Sequence, residues 1–347
     1  MSTSADSQRH AVPLKKRIFS LPTLLSFAVA IAFLYFLTTR FDLDWSKTWN
    51  NVRNLNAWLY LLAFALYYLS FVLRGLRWQV LARNARIHES HQARLPSVPR
   101  FSQLIVIGWF VNSVAWLRMG DAYRAYAFSE ESGGGFSWSL GTVLAERIMD
   151  MATVLVLFIV AVAWFSVTRD TAGTGYFLLA ALLMAFALAA LLVIMKGYGT
   201  RLARLLPERL EEAYHRFQKG TMGSLRQLPI LFALGLAGWL LEAGRLYFVV
   251  QALDMTIGIP LVLIAALGHA ILSTVPTPGG VGVVEPGVTG LLVLSLARED
   301  AASIALVDRS ITYVSVIVIG GVIFLLWHVS RSRRRRREAQ AAAEAAG

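Results

Sequence analysis

The sequence contains no cysteine and few charged residues. The absence of cysteine among 347 residues excludes disulfides, thiol catalysis and cysteine-ligated metal sites. Only 16% of the residues are charged whereas 56% are hydrophobic, so the chain is too apolar to be a soluble domain of this length. Several apolar runs reach the ~20 residues that a helix needs to cross a membrane. We therefore predict an integral membrane protein.

Motifs of catalysis and of ATP use are also absent from the sequence. It has no metal-ligand cluster and no nucleophile elbow. The glycine-rich stretch Thr277–Glu285 is not a nucleotide loop, because no Lys-Ser/Thr pair follows it. Asp42-Leu43-Asp44 resembles an acidic motif of polyprenyl-dependent glycosyltransferases, but a capping turn is the simpler interpretation. We expect no cofactor, no metal and no enzyme activity.

Acidic residues are outnumbered, with 21 Asp and Glu against 33 Lys and Arg and a net charge of +12. Nucleic-acid binding is a poor explanation, because the basic residues cluster beside apolar runs. The clusters are the leader 1–18, Arg83–Arg100, the loop 196–228 and the tail 331–347. The positive-inside rule assigns these segments to the cytoplasm. We expect both termini there, in a bacterial plasma membrane, with anionic inner-leaflet lipids at the tail.

Six apolar runs are long enough to be full transmembrane helices. They are Phe19–Thr38, Ala57–Val80, Trp138–Val167, Tyr176–Met195, Pro229–Leu253 and Ser303–Val329. Two other segments, Phe101–Asp121 and Leu261–Ala297, are broken by Gly, Pro and charge. With both termini on one side, each broken segment must begin and end on the same face, which predicts two re-entrant hairpins that enter from opposite faces. Such backbone at membrane depth needs protein or a water-filled cavity around it.

The order of these features occurs twice and predicts an inverted repeat of residues 19–167 and 168–330. Each half has two helices, a broken segment and a helix with an acid–Arg pair. The corresponding residues are Arg74 and Arg245, Ser113 and Thr274, and Glu146-Arg147 and Asp308-Arg309, and the offset is 161 at the breaks and 162 at the acid–Arg pairs. A chance match between hydrophobic helices is the alternative. An inverted repeat with interrupted segments is typical of a midplane substrate site in transporters.

Charged residues near the first break are the leading candidates for function. Arg118, Asp121 and Arg124 lie where charge costs at least ~2.5–3.5 kcal/mol per residue at membrane depth. A guanidinium presents a planar fork that suits phosphate oxygens. The alternative is an interfacial turn whose arginines extend to lipid headgroups.

The second break cannot continue a helix, because Pro276, Pro278, Gly279 and Gly280 interrupt it. Such a break frees backbone N–H groups that can bind an anion, and Glu285 could pair with an arginine or exchange a proton. A purely structural tip is the alternative. For the acid–Arg pairs, and for Arg245 with Glu242, mutual ion pairing and substrate contact are equally good explanations. His269 is interpreted as a buried hydrogen-bonding group.

Several short motifs together resemble the flippase-like transmembrane family that includes the membrane half of bacterial lysylphosphatidylglycerol synthases and archaeal dolichyl-phosphate-sugar-pathway proteins. The matching text is Leu73–Trp78, Asn112–Arg124, Leu144–Arg147, Pro276–Gly282 with Glu285, and Asp308-Arg309. This chain has Ala115-Trp116-Leu117 where the family often has a proline. The resemblance implies translocation of an anionic or aminoacylated phospholipid, or of a lipid-linked sugar, and we expect no synthase activity.

The combined expectation is an all-α polytopic membrane protein, with an inverted repeat of about six full transmembrane helices plus two re-entrant hairpins. Its function would be flippase-like lipid transport, with the headgroup in a polar cavity between the repeats. A polytopic glycosyl- or aminoacyl-transferase using Asp42 and Asp44 or Glu285 as base, or a membrane subunit of such an enzyme, is the alternative. The expected substrate-binding residues are Arg74, Asn112, Arg118, Asp121, Arg124, Glu146, Arg147, Arg245, Pro278, Gly279, Gly280, Glu285, Asp308 and Arg309.

Overall fold

The computed structural model describes residues 45–86, 95–168 and 174–346. The predicted first span, the leader and the Asp42–Asp44 motif lie outside these residues. The described residues form helices and no strand. The helices are α1 Trp45–Arg53, α2 Ala57–Arg86, α3 Val98–Val114, α4 Gly120–Ser132, α5 Phe136–Thr168, α6 Thr174–Val193, α7 Gly199–Ala203, α8 Glu208–Ser224, α9 Leu228–Ala252, α10 Ile259–Leu272, α11 Val284–Leu292, α12 Arg298–Arg309 and α13 Ser315–Ala346.

Five helical segments in the described residues are long and apolar enough to cross a membrane. They are Ala57–Ala85, Phe136–Val167, Gly175–Val193, Leu228–Ala252 and Arg298–Ser332. These segments coincide with five of the six predicted spans, so the prediction of an all-α polytopic membrane protein is confirmed. The last of them joins α12 and α13 through a π-helical turn, Ser310–Val314.

That last helix begins at Arg298, not at the predicted Ser303. The predicted start leaves the charged triplet Arg298-Glu299-Asp300 outside the helix, whereas in the structure it forms the first helical turn after the extended residue Ala297. Carboxylates in a first turn are favourable, because the helix dipole is positive at its N-terminus. Lys47 of α1 also pairs with Asp300, at 3.6 Å.

The first broken segment is a hairpin of two helices, α3 and α4. Its limbs run antiparallel, because Asn112 accepts a hydrogen bond from the Gly120 N–H at 2.8 Å while the rings of Phe101 and Phe128 lie 5.2 Å apart further along. The prediction that this segment ends at Asp121 was wrong, since the return limb continues to Ser132. The limb is mixed in polarity because it packs against protein rather than lipid: Arg124 and Phe128 are buried.

The second broken segment is also an antiparallel pair, α10 and α11. A Cβ placed on Gly268 would meet Leu291, and one placed on Gly287 would meet Leu272. The hairpin therefore spans residues 259–292, close to the predicted Leu261–Ala297.

The predicted basic loop 196–228 contains a 17-residue helix, α8, that docks on α5. The two backbones are in close contact, because a Cβ on Gly141 would lie 2.3 Å from the Phe217 carbonyl oxygen, and one on Gly220 would lie 2.4 Å from that of Trp138. This segment is thus part of the fold rather than a loose connection.

Two arginine-bearing helices, α2 and α9, pack directly against each other at the centre of the molecule. The first hairpin lies against α2, and the second lies against α5 and α9. Aromatic rings pack together where the limbs of the first hairpin meet α2 and α5. Trp78 packs against Phe101 at 4.9 Å, and Phe128 packs against Trp138 at 5.5 Å. The packing brings both hairpin tips to one side of the α2–α9 pair.

Candidate functional site: a charged cavity between the hairpins

A cavity of about 480 Å³ lies between the two hairpin tips and the arginines of α2 and α9. Eight of the fourteen predicted site residues line it: Arg74, Asn112, Arg118, Asp121, Arg147, Arg245, Gly279 and Arg309. Three others, Arg124, Glu146 and Asp308, are buried behind this wall; Arg124 pairs with Glu146, and Asp308 pairs with Arg245. Pro278, Gly280 and Glu285 form the second tip without lining the cavity.

The first tip, residues 115–119, places Arg118 in the cavity. Leu117 and Arg118 have φ angles of 60° and 50°, which non-glycine residues rarely adopt. Strain of this kind costs of order 1–3 kcal/mol per residue and persists only where the surroundings enforce it. Arg118 donates a hydrogen bond to the Ser273 carbonyl at the second tip. The strained turn therefore joins the two tips through one guanidinium.

The second tip is a glycine turn held by an ion pair. Gly279, Gly280 and Gly282 have φ angles of 58°, 70° and 87°, which glycine tolerates without a Cβ clash. Glu285 accepts hydrogen bonds from the Gly282 N–H and from Arg309 Nε, both at 2.8 Å. Arg309 also donates to the Gly279 carbonyl at 3.0 Å. Several of the loop's own N–H groups donate hydrogen bonds within the loop. The loop therefore contributes to the cavity mainly by holding Arg309 of α12 in place.

The same carboxylate–arginine arrangement occurs behind the first tip. Asp121, the second residue of α4, accepts two hydrogen bonds from Arg147, at 2.7 and 3.0 Å. Glu285 is likewise the second residue of α11, and its partner Arg309 belongs to the second acid–Arg pair. Each return limb thus begins with a carboxylate that holds the arginine of the next long helix. The inverted repeat predicts such a recurrence, and it stays a prediction.

The acid–Arg pairs lie within the long helical segments Phe136–Val167 and Arg298–Ser332 rather than at their ends. Glu146 is ten residues after Phe136, where α5 begins, and Asp308 is ten residues after Arg298, where α12 begins. The arginines are therefore far enough along each helix to reach the cavity.

A continuous chain of ion pairs connects the two halves at the back of the cavity. Asp150 contacts Arg77 at 2.6 Å, Arg147 at 3.2 Å and Arg74 at 3.9 Å. Glu242 lies 3.3 Å from both Arg74 and Arg245. A guanidinium pinned by two carboxylates is held in one orientation, so this chain fixes α2, α5 and α9 relative to one another.

The chain continues to α12 and to the second hairpin. Arg245 pairs with Asp308, which also lies 3.0 Å from His269 Nδ1. His269 lines the cavity and is largely buried. The interpretation of His269 as a buried hydrogen-bonding group agrees with this contact.

Sequence reasoning missed two kinds of site residue. Arg77 and Asp150 complete the ion-pair chain, and their signal was charge within an apolar helix. Trp109 and Trp239 hold the Arg74 guanidinium between them, at 5.6 and 5.0 Å from the ring centroids. Single aromatics carry no specific signal in an apolar sequence, where packing or anchoring at the membrane interface explains them equally well.

The N–H donors that line the cavity suit an anionic ligand. Within residues 45–86, 95–168 and 174–346, no group of three or more His, Cys, Asp and Glu could hold a metal ion. Glu285, the alternative catalytic base, is already engaged by Arg309 and the Gly282 N–H. The arginines supply planar N–H donors that match phosphate or carboxylate oxygens.

The comparisons with known proteins agree with the fold. The family model of the lysylphosphatidylglycerol synthase TM region matches residues 23–320. A UPF0104 membrane protein of Methanocaldococcus jannaschii is 27% identical over 62% of this chain and 94% of its own length. A second one from that organism is 23% identical over 85% and 93%, and one from Methanothermobacter thermautotrophicus is 27% identical over 72% and 77%. The chain therefore belongs to the family of the lysylphosphatidylglycerol synthase transmembrane region.

Proposed function

We propose that this protein is a lipid transporter that moves a polar headgroup between the two leaflets of the plasma membrane. The observation that carries the proposal is the cavity itself, which is walled by Arg118 of the first hairpin and by arginines of α2, α5, α9 and α12 inside an otherwise apolar bundle. Charge at membrane depth is costly and marks a substrate path by default. The membership of the family, whose name refers to a phospholipid synthase, supports a lipid substrate.

The size and lining of the cavity suit a headgroup. A volume of about 480 Å³ lies within the ~300–1,000 Å³ of small-molecule sites. Apolar side chains, including Met151, Val154 and Met184, line it beside the charged groups. The α6 helix that carries Met184 exposes Leu178, Leu182 and Phe186 on its outer surface. In the proposal the headgroup enters the cavity while the acyl chains stay in the surrounding lipid.

Movement between leaflets requires contacts between the halves to change. Near the cavity, the polar contacts that cross from one half to the other include Arg118 with the Ser273 carbonyl, Arg74 with Glu242, and the Tyr313 hydroxyl with the Ser113 carbonyl at 3.4 Å. An anion that binds Arg118 therefore competes with one of these contacts directly. Rocking of one repeat against the other would then expose the cavity to each side in turn.

The remaining parts of the proposal follow from composition. Both termini would lie in the cytoplasm, and the basic tail would contact anionic inner-leaflet lipids rather than nucleic acid.

We propose a transporter rather than a glycosyl- or aminoacyl-transferase, because Arg309 and the second tip already engage Glu285.

The test is reconstitution of the full chain into liposomes with phospholipids labelled on one acyl chain, so that the headgroup stays native. Dithionite then bleaches the probes in the outer leaflet, and a second, slow phase reports translocation. We expect the protein to accelerate this phase over protein-free vesicles, and Arg118→Gln to slow it at least tenfold.

A matched control is Arg216→Gln, because Arg216 is exposed on α8 and, among the described residues, forms its ion pair with Glu212 of its own helix. This variant should translocate at the native rate. No acceleration by the native protein, together with formation of a glycosylated or aminoacylated lipid from a supplied donor, would favour the enzyme instead.

A further inference from the structure

Every carboxylate around the cavity is already neutralised by an arginine. The six carboxylates each have at least one guanidinium nitrogen within 4.0 Å; they are Asp121, Asp150, Glu146, Glu242, Glu285 and Asp308. Four of the six contact two cationic side chains or more. A cationic headgroup entering the cavity would have to displace one of these arginines from a largely buried pair, which is strongly unfavourable.

One arginine is left over. Seven arginines surround the cavity, and six of them pair with these carboxylates. Among the described residues, Arg118 has no carboxylate within 4.0 Å, and its recorded hydrogen bond is to the Ser273 carbonyl. The cluster of seven arginines and six carboxylates therefore carries one uncompensated positive charge, and Arg118 is half-buried at the point where the tips meet. An anion is the ligand that would balance it.

The aromatic faces of the cavity are occupied in the same way. Four aromatic residues line it, and each has a guanidinium over its ring within 6 Å: Arg74 over Trp109 and Trp239, Arg245 over Tyr67 at 5.7 Å, and Arg309 over Tyr313 at 4.6 Å. Aromatic faces are the other means by which proteins bind ammonium groups. Here the protein's own cations cover them.

The groups that remain available are mainly donors. Asn112 uses its carbonyl oxygen to accept from the Gly120 N–H, which leaves its amide N–H groups. The buried indole N–H of Trp239 has no hydrogen-bond partner among the described residues, and its ring lines the cavity. The hydroxyls of Ser273 and Thr274 donate to the carbonyls of Ala270 and Ile271, so their oxygens remain only as hydrogen-bond acceptors.

We infer that the cavity selects an anionic phosphate headgroup that has no free amine, and that it rejects aminoacylated phospholipids. This inference rests on the proposed function and narrows its substrate class. The phosphate would take the Arg118 guanidinium from the Ser273 carbonyl. An aminoacylated headgroup such as lysylphosphatidylglycerol would add ammonium groups to a cavity that already has excess positive charge.

The test uses the same liposomes with three acyl-labelled probes: phosphatidylglycerol, phosphatidylcholine and lysylphosphatidylglycerol. We expect phosphatidylglycerol to move at least tenfold faster than lysylphosphatidylglycerol. Arg118→Gln should abolish this preference, whereas Arg118→Lys, which keeps the charge, should retain most of it. Lysylphosphatidylglycerol moving as fast as phosphatidylglycerol, with both faster than in protein-free vesicles, would overturn the inference while the transport proposal stands.

A binding measurement separates the two proposals. The midpoint of thermal unfolding of the detergent-solubilised protein is measured with each unlabelled lipid added to the micelles. We expect phosphatidylglycerol to raise the midpoint and lysylphosphatidylglycerol to leave it unchanged, and the increase to be lost in Arg118→Gln. Selective stabilisation without any translocation would refute transport but support the selectivity. Equal stabilisation by both lipids would contradict the selectivity.

Discussion

The two hairpins bring their tips to the same cavity with different backbone chemistry. The second tip turns on three glycines with positive φ, Gly279, Gly280 and Gly282, whereas the first turns on Leu117 and Arg118. A glycine turn forms without strain, and its role is to seat Arg309. The strained turn of the first hairpin places a guanidinium at the tip, where glycine could not supply one. In the proposed mechanism, the first hairpin therefore binds the headgroup through Arg118, and the second hairpin holds Arg309 in place.

The limbs of the hairpins differ as well. In the first, a Cβ on Gly120 would lie 1.9 Å from the Gly108 carbonyl oxygen, so the two backbones touch. In the second, the gap is filled by the flexible side chains of Leu272 and Leu291. The first hairpin is therefore the more rigid of the two.

The third difference is charge. Three residues after Asp121, the first return limb has Arg124, whereas three residues after Glu285 the second has the buried Val288. Arg124 pairs with Glu146 at 2.9 Å, and both side chains are 1% exposed. The following predictions test these contrasts in order of decreasing effect.

The largest effect is expected for Arg124→Leu, which makes the first limb resemble the second. Glu146 would then keep only Arg77, at 3.9 Å. Removing one partner of a buried ion pair typically lowers the free energy of unfolding by about 3–5 kcal/mol. Titration with sodium dodecyl sulfate, followed by circular dichroism, measures this change. The double variant Arg124→Leu with Glu146→Leu should recover most of the loss, and a double variant as unstable as the single one would show that the pair is not the cause.

The next effect is expected for Gly120→Ala, which forces a methyl group against the backbone of α3. Overpacking of this kind costs about 1–3 kcal/mol, and the limbs cannot part without breaking the Asn112 hydrogen bond. The matched variant in the second hairpin, Gly287→Ala, meets only the Leu272 side chain and should cost less than about 1 kcal/mol. Equal losses in the same unfolding assay would contradict the difference in rigidity.

A smaller loss is expected for Gly279→Ala. Its φ of 58° is unfavourable for alanine by roughly 1–2 kcal/mol, and the new Cβ would approach the Tyr313 ring to 2.4 Å. The ring can move, but only by leaving Arg309, so the translocation rate should fall together with stability. Gly290→Ala is the control, because it has no atom within 4 Å of the added Cβ. Native translocation in Gly279→Ala would show that the second tip does not seat Arg309 for transport.

The smallest effect is expected for Leu117→Gly. Glycine relieves the positive φ of this exposed residue, while the greater freedom of the unfolded chain offsets the gain, so stability should change by less than about 1 kcal/mol. Translocation should continue, because Arg118 is unchanged. A loss above about 2 kcal/mol would mean that the Leu117 side chain, rather than the turn, holds the tip.

The second half of the molecule could be predicted from the sequence more accurately than the first. Proline and glycine mark the break between α10 and α11 directly, and Arg309 and Glu285 are charged residues that stand out in an apolar sequence. The first break has no proline, and its turn depends on Leu117 and Arg118, whose positive φ values are imposed by tertiary contacts. The α4 limb to Ser132 escaped prediction because protein, not lipid, covers it. The long-range ion pairs, such as Arg77 with Asp150 and Arg74 with Glu242, depend on packing that no local pattern specifies.

We propose that both hairpin tips share one water-filled chamber that holds an anionic headgroup. The chain has no native cysteine, so Asn112→Cys and Thr274→Cys each introduce a single thiol at the cavity wall, one on the limb beside the first tip and one at the second tip. Their reaction rates with an anionic, membrane-impermeant thiol reagent are measured in nanodiscs and normalised to Arg216→Cys on exposed α8. The account predicts that both thiols react and that phosphatidylglycerol slows both, relative to phosphatidylcholine. Reaction at only one tip, or no protection by phosphatidylglycerol at either, would contradict it.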